Sequence, residues 1–255
     1  MISLLFDKEL SGIYKSKSQL IRVQSEGWLL KNMYCPCCGN PMLQKFENNK
    51  PVADFFCDKC SEQFELKSTN KTIKNKIVDG AYETAIKRVK SNSNPDLFVL
   101  QYQSESVTDL IIVPKYFFTP NIIEKRRPLG ITARRAGWIG SNIIYKDIPT
   151  QGKIKIISNG EIIPQDIVLA EYQKASRLNI SDIDNRGWLF DVMNCINSID
   201  TVFFTINDLY LFEATLQKLH PENHNIRAKI RQQLQYLRDK GFIDFVDNKG
   251  RYKKI

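Results

Sequence analysis

Residues 34–68 read YCPCCGNPMLQKFENNKPVADFFCDKCSEQFELKS and contain two C-x-x-C pairs separated by 18 residues. The pairs are Cys35 with Cys38 and Cys57 with Cys60. This spacing is typical of a structural zinc site, in which four thiolates surround the ion. An iron site of the rubredoxin type and a pair of disulfides are the alternatives, and the spacing alone does not separate zinc from iron. Cys37 is out of register with Cys38 for ligation of the same ion, so we expect Cys37 to bind no metal.

The same stretch carries a second pattern, made of two acidic residues and a lysine. Asp54 precedes the second cysteine pair and Glu65 and Lys67 follow it, which gives Asp-x10-Glu-x-Lys across a predicted hairpin. Side chains alternate between the two faces of a strand, so Glu65 and Lys67 are expected to point the same way, opposite to Phe64 and Leu66. Two carboxylates favour a magnesium ion, and a neighbouring ammonium suits the charge that develops in phosphodiester hydrolysis. The pattern predicts a metal-dependent nuclease site, and a chance arrangement of surface charges is the alternative.

Composition narrows the possible functions. The chain has 255 residues, enough for a large domain with a sizeable core and a smaller one, and a formal net charge of +9, which favours a polyanionic partner. Only two histidines are present, which disfavours a histidine-rich nuclease site or a Ser-His-Asp triad. Neither a signal peptide nor an apolar run of membrane-spanning length is recognisable. We expect a cytoplasmic monomer that does not contact a membrane.

Apolar periodicity predicts a mixed α/β (α+β) domain over residues 1–182. Helices are expected over residues 3–25, with a break near residues 11–12, and over 79–89 and 165–175. Strands are expected over residues 97–102, 110–113, 139–145 and 153–157. Residues 28–33 should lead into the cysteine segment, and residues 68–76 should form a loop. This order of elements would place the acidic residues at a sheet that helices cover.

A basic segment follows the first strands of this domain. Residues 111–138 carry six basic side chains and one acidic side chain, which favours contact with phosphates. The segment ends in Arg134, Arg135 and Trp138, flanked by glycines that would allow a ligand to approach the backbone closely. We interpret these three residues as DNA-contacting. The alternative is a solvated basic loop with a tryptophan in the core.

Residues 183–255 are predicted to form a winged helix. Helical patterns over residues 187–199, 206–219 and 226–240 precede two short strands joined by a turn at 247–250. Residues 183–223 hold two basic and six acidic side chains, whereas residues 224–255 hold nine basic and three acidic. A basic third helix is what the major groove requires, and its candidate base-reading residues are Arg227, Arg231, Gln232 and Gln235. A winged helix used for protein contact is the alternative.

Several long segments resemble the DpnI family of methyl-directed restriction endonucleases. They include NNKPVADFFC, FELKS, DGAYETAIKRV, TARRAGWIG and IRQQLQYLRDK. The resemblance implies a PD-(D/E)xK catalytic domain and a C-terminal winged helix, both reading double-stranded GATC with N6-methyladenine, and magnesium-dependent cleavage of both strands. It assigns Asp54, Glu65 and Lys67 to the catalytic motif, with magnesium held by Asp54 and Glu65. It also assigns the four paired cysteines to a zinc site.

This chain departs from the family pattern in two respects. Pro51 lies three residues before Asp54 instead of next to it, and Cys37 adds an extra thiol. Neither departure removes a ligand. A methyl group adds only about 1 kcal/mol of apolar burial, so we hypothesise that Trp138 packs against the methyl groups while Arg134 and Arg135 anchor phosphate or guanine. A zinc-ribbon, winged-helix regulator without catalytic activity is the alternative function.

Overall fold

The computed structural model describes residues 2–7, 16–47, 53–247 and 250–255. The predicted helix over residues 3–25 is only partly correct, because residues 2–7 are extended and Leu5 forms a bridge with Ser106. The expected break at residues 11–12 lies outside the described residues. Helix α1 spans Lys17–Asn32 and so extends beyond the predicted end at residue 25. Trp28 explains this difference, since it is buried and its Nε1–H donates to Ser3 O at 2.6 Å.

The remaining elements before residue 180 are short strands and two helices. In chain order they are β1 (Gln44–Lys45), β2 (Phe55–Phe56), β3 (Gln63–Thr69), β4 (Ile77–Ala81), α2 (Tyr82–Lys90), β5 (Asp96–Gln103), β6 (Ser106–Val113), β7 (Ile123–Lys125), β8 (Gly140–Ile143), β9 (Ile154–Ser158), β10 (Glu161–Ile162) and α3 (Gln165–Ser176). The mixed α/β class predicted from the sequence is confirmed, as are the strands at β5, β6 and β9 and the helix at α3.

Seven strands of the described residues form the main sheet, in the order β1-β2-β3-β5-β6-β9-β10. Only the β3–β5 pair within this sheet is parallel, and it places Glu65 opposite Leu97 and Lys67 opposite Val99. Leu97 and Val99 are buried, because β5 is central and covered on both faces. The strand that carries Glu65 and Lys67 is therefore fixed against the middle of the core.

A second sheet has the order β4-β8-β7 among the described residues. Strand β4 corrects our expectation of a helix from residue 79, because Asp79 pairs with Ser141 of β8 and the helix begins only at Tyr82. Ser141 is fully buried and its hydroxyl donates to Gly80 O at 3.1 Å, which fixes the end of β4. Asp79 thus belongs to a strand.

A buried polar group joins helix α3 to the main sheet. Asp96 is fully buried at the start of β5, where its carboxylate accepts hydrogen bonds from Tyr172 Oη–H at 2.6 Å and from Lys115 N–H at 2.7 Å. Burial raises the pKa of Asp96 to about 7, although both hydrogen bonds act in the opposite direction. The Tyr172 hydrogen bond joins α3 to the start of β5.

The C-terminal part is a winged helix. In chain order its elements are α4 (Ile183–Asn197), β11 (Phe203–Thr205), α5 (Ile206–Tyr210), α6 (Glu213–Leu219), α7 (Ile226–Asp239), β12 (Ile243–Asp247) and β13 (Arg251–Lys254). The single helix expected over residues 206–219 is instead two helices, which meet at the exposed Leu211. The three strands form a sheet in the order β11-β13-β12, and the middle of the predicted wing turn, residues 248–249, lies outside the described residues.

The two parts of the chain are in direct contact. Phe117 stacks on Phe190 of α4 with ring centroids 4.7 Å apart, and Asn194 Nδ2–H donates to Asp147 O at 2.7 Å. The boundary at residues 182 and 183, directly before α4, stays a prediction. None of the described helices has the length and apolar character needed to cross a membrane.

Candidate active site and cysteine cluster

The four paired cysteines form one compact cluster at the turn between β2 and β3. Their Sγ atoms all lie within 4.8 Å of one another, and Cys35–Cys60 and Cys38–Cys57 are each separated by 3.6 Å. A tetrahedral ion with bonds of about 2.3 Å requires sulfur–sulfur distances of about 3.8 Å, so the cluster fits a zinc ion. Cys37 is not part of this group.

Two tight turns position the cysteines. Gly39 N–H donates to Cys35 O and Ser61 N–H donates to Cys57 O, both at 2.9 Å, and each donor has a positive φ, 76° at Gly39 and 61° at Ser61. These turns direct backbone N–H groups toward the sulfur atoms. Burial opposes ionisation of Cys57, but hydrogen bonds from the N–H groups of Cys60 and Lys59 and from the thiols of Cys38 and Cys60 together lower its pKa to about 7. These hydrogen bonds favour a thiolate at Cys57, whereas burial raises the pKa of Cys35 and Cys60.

Asp54 lies at the open end of the same hairpin, directly before β2. Its N–H donates to Phe64 O at 2.9 Å, and its Oδ2 accepts a hydrogen bond from Leu66 N–H at 2.8 Å. Burial raises the pKa of the Asp54 carboxyl group, and the Leu66 hydrogen bond partly offsets that effect. Asp54 is therefore held against the strand that carries Glu65 and Lys67.

Lys67 lies between two carboxylates. Its Nζ is 2.6 Å from Glu65 Oε1 and 2.9 Å from Asp79 Oδ1. The exposed fractions of these side chains are 25% for Lys67, 26% for Glu65 and 14% for Asp79, so water screens the contacts only in part. Burial alone would lower the pKa of Lys67, but the two carboxylates outweigh it and raise that pKa. Glu65 and Lys67 share one face of β3, as the strand pattern predicted.

The hairpin brings Asp54 close enough to Glu65 for their charges to interact. Burial raises the pKa of Glu65, Lys67 lowers it, and the carboxylates of Asp79 and Asp54 raise it further. A group of at least three His, Cys, Asp or Glu residues can share an ion when its ligand atoms lie close together. Within residues 2–7, 16–47, 53–247 and 250–255, however, the four cysteines form the only such group. The acidic site thus offers an ion fewer protein ligands than the cysteine cluster does.

Sequence reasoning missed two acidic residues around this site. Asp79 contacts Lys67 from the second sheet. It was not identified from the sequence because a helix was predicted to begin at residue 79. Glu26 of α1 is buried, where it pairs with Arg22 and, at 2.8 Å, with Lys45 Nζ, and its charge acts on Asp54. Its only sequence signal is a glutamate four residues after an arginine on a helix, which also occurs on many solvated helices.

The basic loop between β7 and β8 folds back on itself. Leu129 N–H donates to Trp138 O and Gly137 N–H donates to Leu129 O, both at 3.0 Å. The Trp138 ring lies so close to Gly140 that a Cβ atom there would be 2.8 Å from two ring carbons. The guanidinium of Arg135 stacks 4.6 Å from the centre of the same ring. Trp138 is only partly buried, so it is not a core residue.

Helix α7 presents its four candidate base-reading side chains to solvent. Arg227, Arg231, Gln232 and Gln235 are all exposed, whereas Ile230, Leu234 and Leu237 are buried. Tyr210 of α5 contacts both arginines: its ring lies 4.8 Å from the Arg227 guanidinium, and its hydroxyl accepts a hydrogen bond from Arg231 Nη1–H at 2.7 Å. The predicted division of α7 into a core side and a polar side is confirmed.

Comparison with family profiles assigns both parts of the chain. The Dam-replacing family profile, DpnI, matches residues 2–181. The chain belongs to the DpnI family. The profile of the Dam-replacing HTH domain matches residues 184–254, which include α4 to α7 and the wing strands.

Membership of the DpnI family supports a restriction enzyme whose activity depends on DNA methylation, and its HTH domain supports DNA binding. The acidic site fits such a reaction chemically. Asp54 and Glu65 provide carboxylate oxygens, which are the ligands that magnesium prefers. Lys67 adds a positive charge next to these carboxylates.

Proposed function

We propose that this chain hydrolyses double-stranded DNA at GATC sites that contain N6-methyladenine, in a reaction that requires magnesium. The observation that carries the proposal is the position of the Lys67 ammonium, 2.6 Å from Glu65 on the strand to which Asp54 is hydrogen bonded. An acidic pair with an adjacent ammonium is suited to a phosphodiester, whose hydrolysis adds negative charge to the phosphate oxygens.

Each of the three residues has a separate role in the proposed reaction. Asp54 and Glu65 hold the magnesium ion, which when bound polarises the scissile phosphate and acidifies a water molecule. Lys67 is kept protonated by its carboxylate neighbours, so it acts as a fixed positive charge that orients the attacking water or offsets the developing charge. A protonated lysine is a poor general base, and we assign it no proton abstraction.

The loop between β7 and β8 is the proposed methyl reader of the catalytic domain. Trp138 provides a flat apolar surface that is fixed by packing on Gly140, while the exposed Arg134 and Arg135 anchor phosphate or guanine. Burial of one methyl group contributes only about 1 kcal/mol, so a single contact gives weak discrimination.

Recognition of the same methylated site by the winged helix increases the preference for methylated over unmethylated DNA. Arg227, Arg231, Gln232 and Gln235 lie exposed on α7, and the forked side chains of Arg and Gln match the edges of guanine and adenine. Two domains that each prefer methylated DNA multiply their preferences when one molecule engages both. We propose that a monomer does so.

The test compares plasmid DNA prepared with and without adenine methylation, incubated with the protein and magnesium. Specific fragments from the methylated plasmid alone are expected, and chelation of magnesium should prevent them. The matched control is Asp54→Asn, which should bind methylated DNA but leave it intact.

Two results would contradict the proposal. Fragments from the unmethylated plasmid in equal amount would remove the methyl dependence. An intact methylated plasmid, bound by the wild-type protein with unchanged affinity, would instead support a zinc-containing DNA-binding regulator.

A further inference from the structure

We propose that Asp79 is a positioning residue for Lys67, holding its ammonium in place through a carboxylate that does not bind the catalytic ion. The proposal rests on the nuclease function given above and extends it to a residue outside the motif. The contact itself is short, 2.9 Å between Asp79 Oδ1 and Lys67 Nζ, and Asp79 is the least exposed of the three side chains that meet there.

The backbone around Asp79 is suited to a fixed position. Strand β4 pairs with β8, with Ile77 opposite Ile143 and Asp79 opposite Ser141, and the register shifts between Asp79 and Ala81. The buried Ser141 hydroxyl also donates to the carbonyl of Gly80. The short Asp79 side chain thus projects from a paired strand of the second sheet, whereas Lys67 reaches it from the main sheet through a long, flexible side chain.

A second carboxylate partner can hold the Lys67 ammonium while Glu65 binds the ion. Glu65 contacts the ammonium, yet the proposed reaction also requires Glu65 as a magnesium ligand. If Glu65 were the only anchor, a magnesium ion bound to Glu65 would leave the ammonium without a fixed partner. The Asp79 carboxylate is engaged by Lys67 at 2.9 Å, and we propose that this contact persists when Asp54 and Glu65 bind the ion.

The same sheet also supports the proposed methyl-reading loop. Ala81 of β4 pairs with Gly140 of β8, the residue on which the Trp138 ring packs. The second sheet therefore contains both Asp79, which contacts Lys67, and Gly140, on which the Trp138 ring packs. This arrangement fixes the position of Lys67 relative to the loop that we propose contacts DNA.

The test uses the full-length protein with Asp79→Asn and Asp79→Glu, and with Asp109→Asn as matched control. Asp109 is a strand aspartate whose carboxylate accepts a hydrogen bond from Asn159 N–H instead. Single-turnover cleavage of a methylated GATC duplex is measured as a function of magnesium, and the dissociation constant for the duplex is measured in calcium. Urea unfolding of Asp79→Asn, Lys67→Gln and the double variant provides a measurement that is independent of activity.

We expect Asp79→Asn to cleave about 10- to 100-fold more slowly at saturating magnesium, the range typical for loss of a residue that orients an active-site group. The duplex dissociation constant and the half-saturating magnesium concentration should stay within about twofold of wild type. Asp79→Glu should recover part of the rate, and Asp109→Asn should behave as wild type. The unfolding midpoint of the double variant should lie above the value that the two single shifts predict, because the double change removes a contact only once.

Three results would overturn the proposal. The first is a wild-type cleavage rate for Asp79→Asn. The second is recovery of the Asp79→Asn rate in excess magnesium, which would indicate that Asp79 is a metal ligand. The third is additivity of the shifts in unfolding midpoint of the two single variants. If instead the wild-type protein cleaved no methylated DNA, the proposed function would fail, while the unfolding measurement would still decide whether Asp79 and Lys67 are coupled.

Discussion

The cysteine cluster and the acidic site lie at opposite ends of one hairpin, and they are built in opposite ways. The cysteines come from two tight turns and lie within 4.8 Å of one another. The acidic site is assembled from β2, β3 and β4, and burial raises the pKa of both Asp54 and Glu65. A group whose pKa is raised by burial destabilises the folded protein when it is ionised. Burial also raises the pKa of Cys35, so the cysteine cluster stabilises the hairpin through the ion that its thiolates bind. The acidic site, by contrast, keeps its charges for chemistry at a cost in stability.

Removal of a cysteine ligand should have the largest effect. We expect Cys57→Ser to lose zinc and to lower the melting temperature by about 10 °C or more, because a structural zinc site contributes folding free energy directly. Zinc content by mass spectrometry and thermal unfolding measure the two effects. Cys37→Ser is the matched control and should keep one zinc ion and the wild-type melting temperature.

Removal of an acidic ligand should reduce activity without reducing stability. Asp54→Asn is expected to slow cleavage of methylated DNA about 1000-fold or more, in line with loss of a major electrostatic contribution to catalysis. Its melting temperature should be equal to or above that of wild type, since a buried charge is replaced by a neutral amide. A clear drop in melting temperature would mean that the acidic site, like the cysteine cluster, is structural.

A change in the loop between β7 and β8 should leave both ends of the hairpin intact and alter only which DNA is cut. Trp138→Ala is expected to lower the preference for methylated over unmethylated sites about tenfold, the value for loss of one or two buried methyl contacts. Ratios of initial cleavage rates on the two duplexes provide the measurement. Ile131→Ala is the control, because Ile131 lies in the same loop with 94% of its surface exposed. An unchanged ratio for Trp138→Ala would exclude this residue from methyl recognition.

The smallest effect is expected on the winged helix. Arg231→Ala should weaken binding of the methylated duplex roughly fivefold, at the low end of the effect of one base contact, because Arg231 is already hydrogen bonded to Tyr210. The single-turnover rate at saturating protein should not change. A lower rate at saturation would show that the winged helix also shapes the acidic site.

Local patterns predicted the features that depend on neighbours in sequence. The cysteine spacing, the shared face of Glu65 and Lys67, and the buried side of α7 all follow from turns or from a strand or helix period. Each of these needs only a few consecutive residues to be in a regular conformation.

Contacts between distant segments could not be predicted in this way. Asp79 was assigned to a helix because residues 79–89 have helical spacing, but the pairing of β4 with β8 about 60 residues later fixes it as a strand. The extent of α1 was also misjudged, since the Trp28 side chain donates a hydrogen bond to Ser3, 25 residues earlier in the chain. Both errors concern residues whose conformation is decided by tertiary contact.

The most direct test of the account is a crystal structure with manganese in place of magnesium and a methylated GATC duplex, determined before cleavage. We predict one anomalous peak within about 2.5 Å of a carboxylate oxygen of both Asp54 and Glu65, next to a DNA phosphate and with the Lys67 ammonium close by. A manganese ion that contacts neither carboxylate, or bound DNA with no ion at this end of the hairpin, would contradict the nuclease assignment.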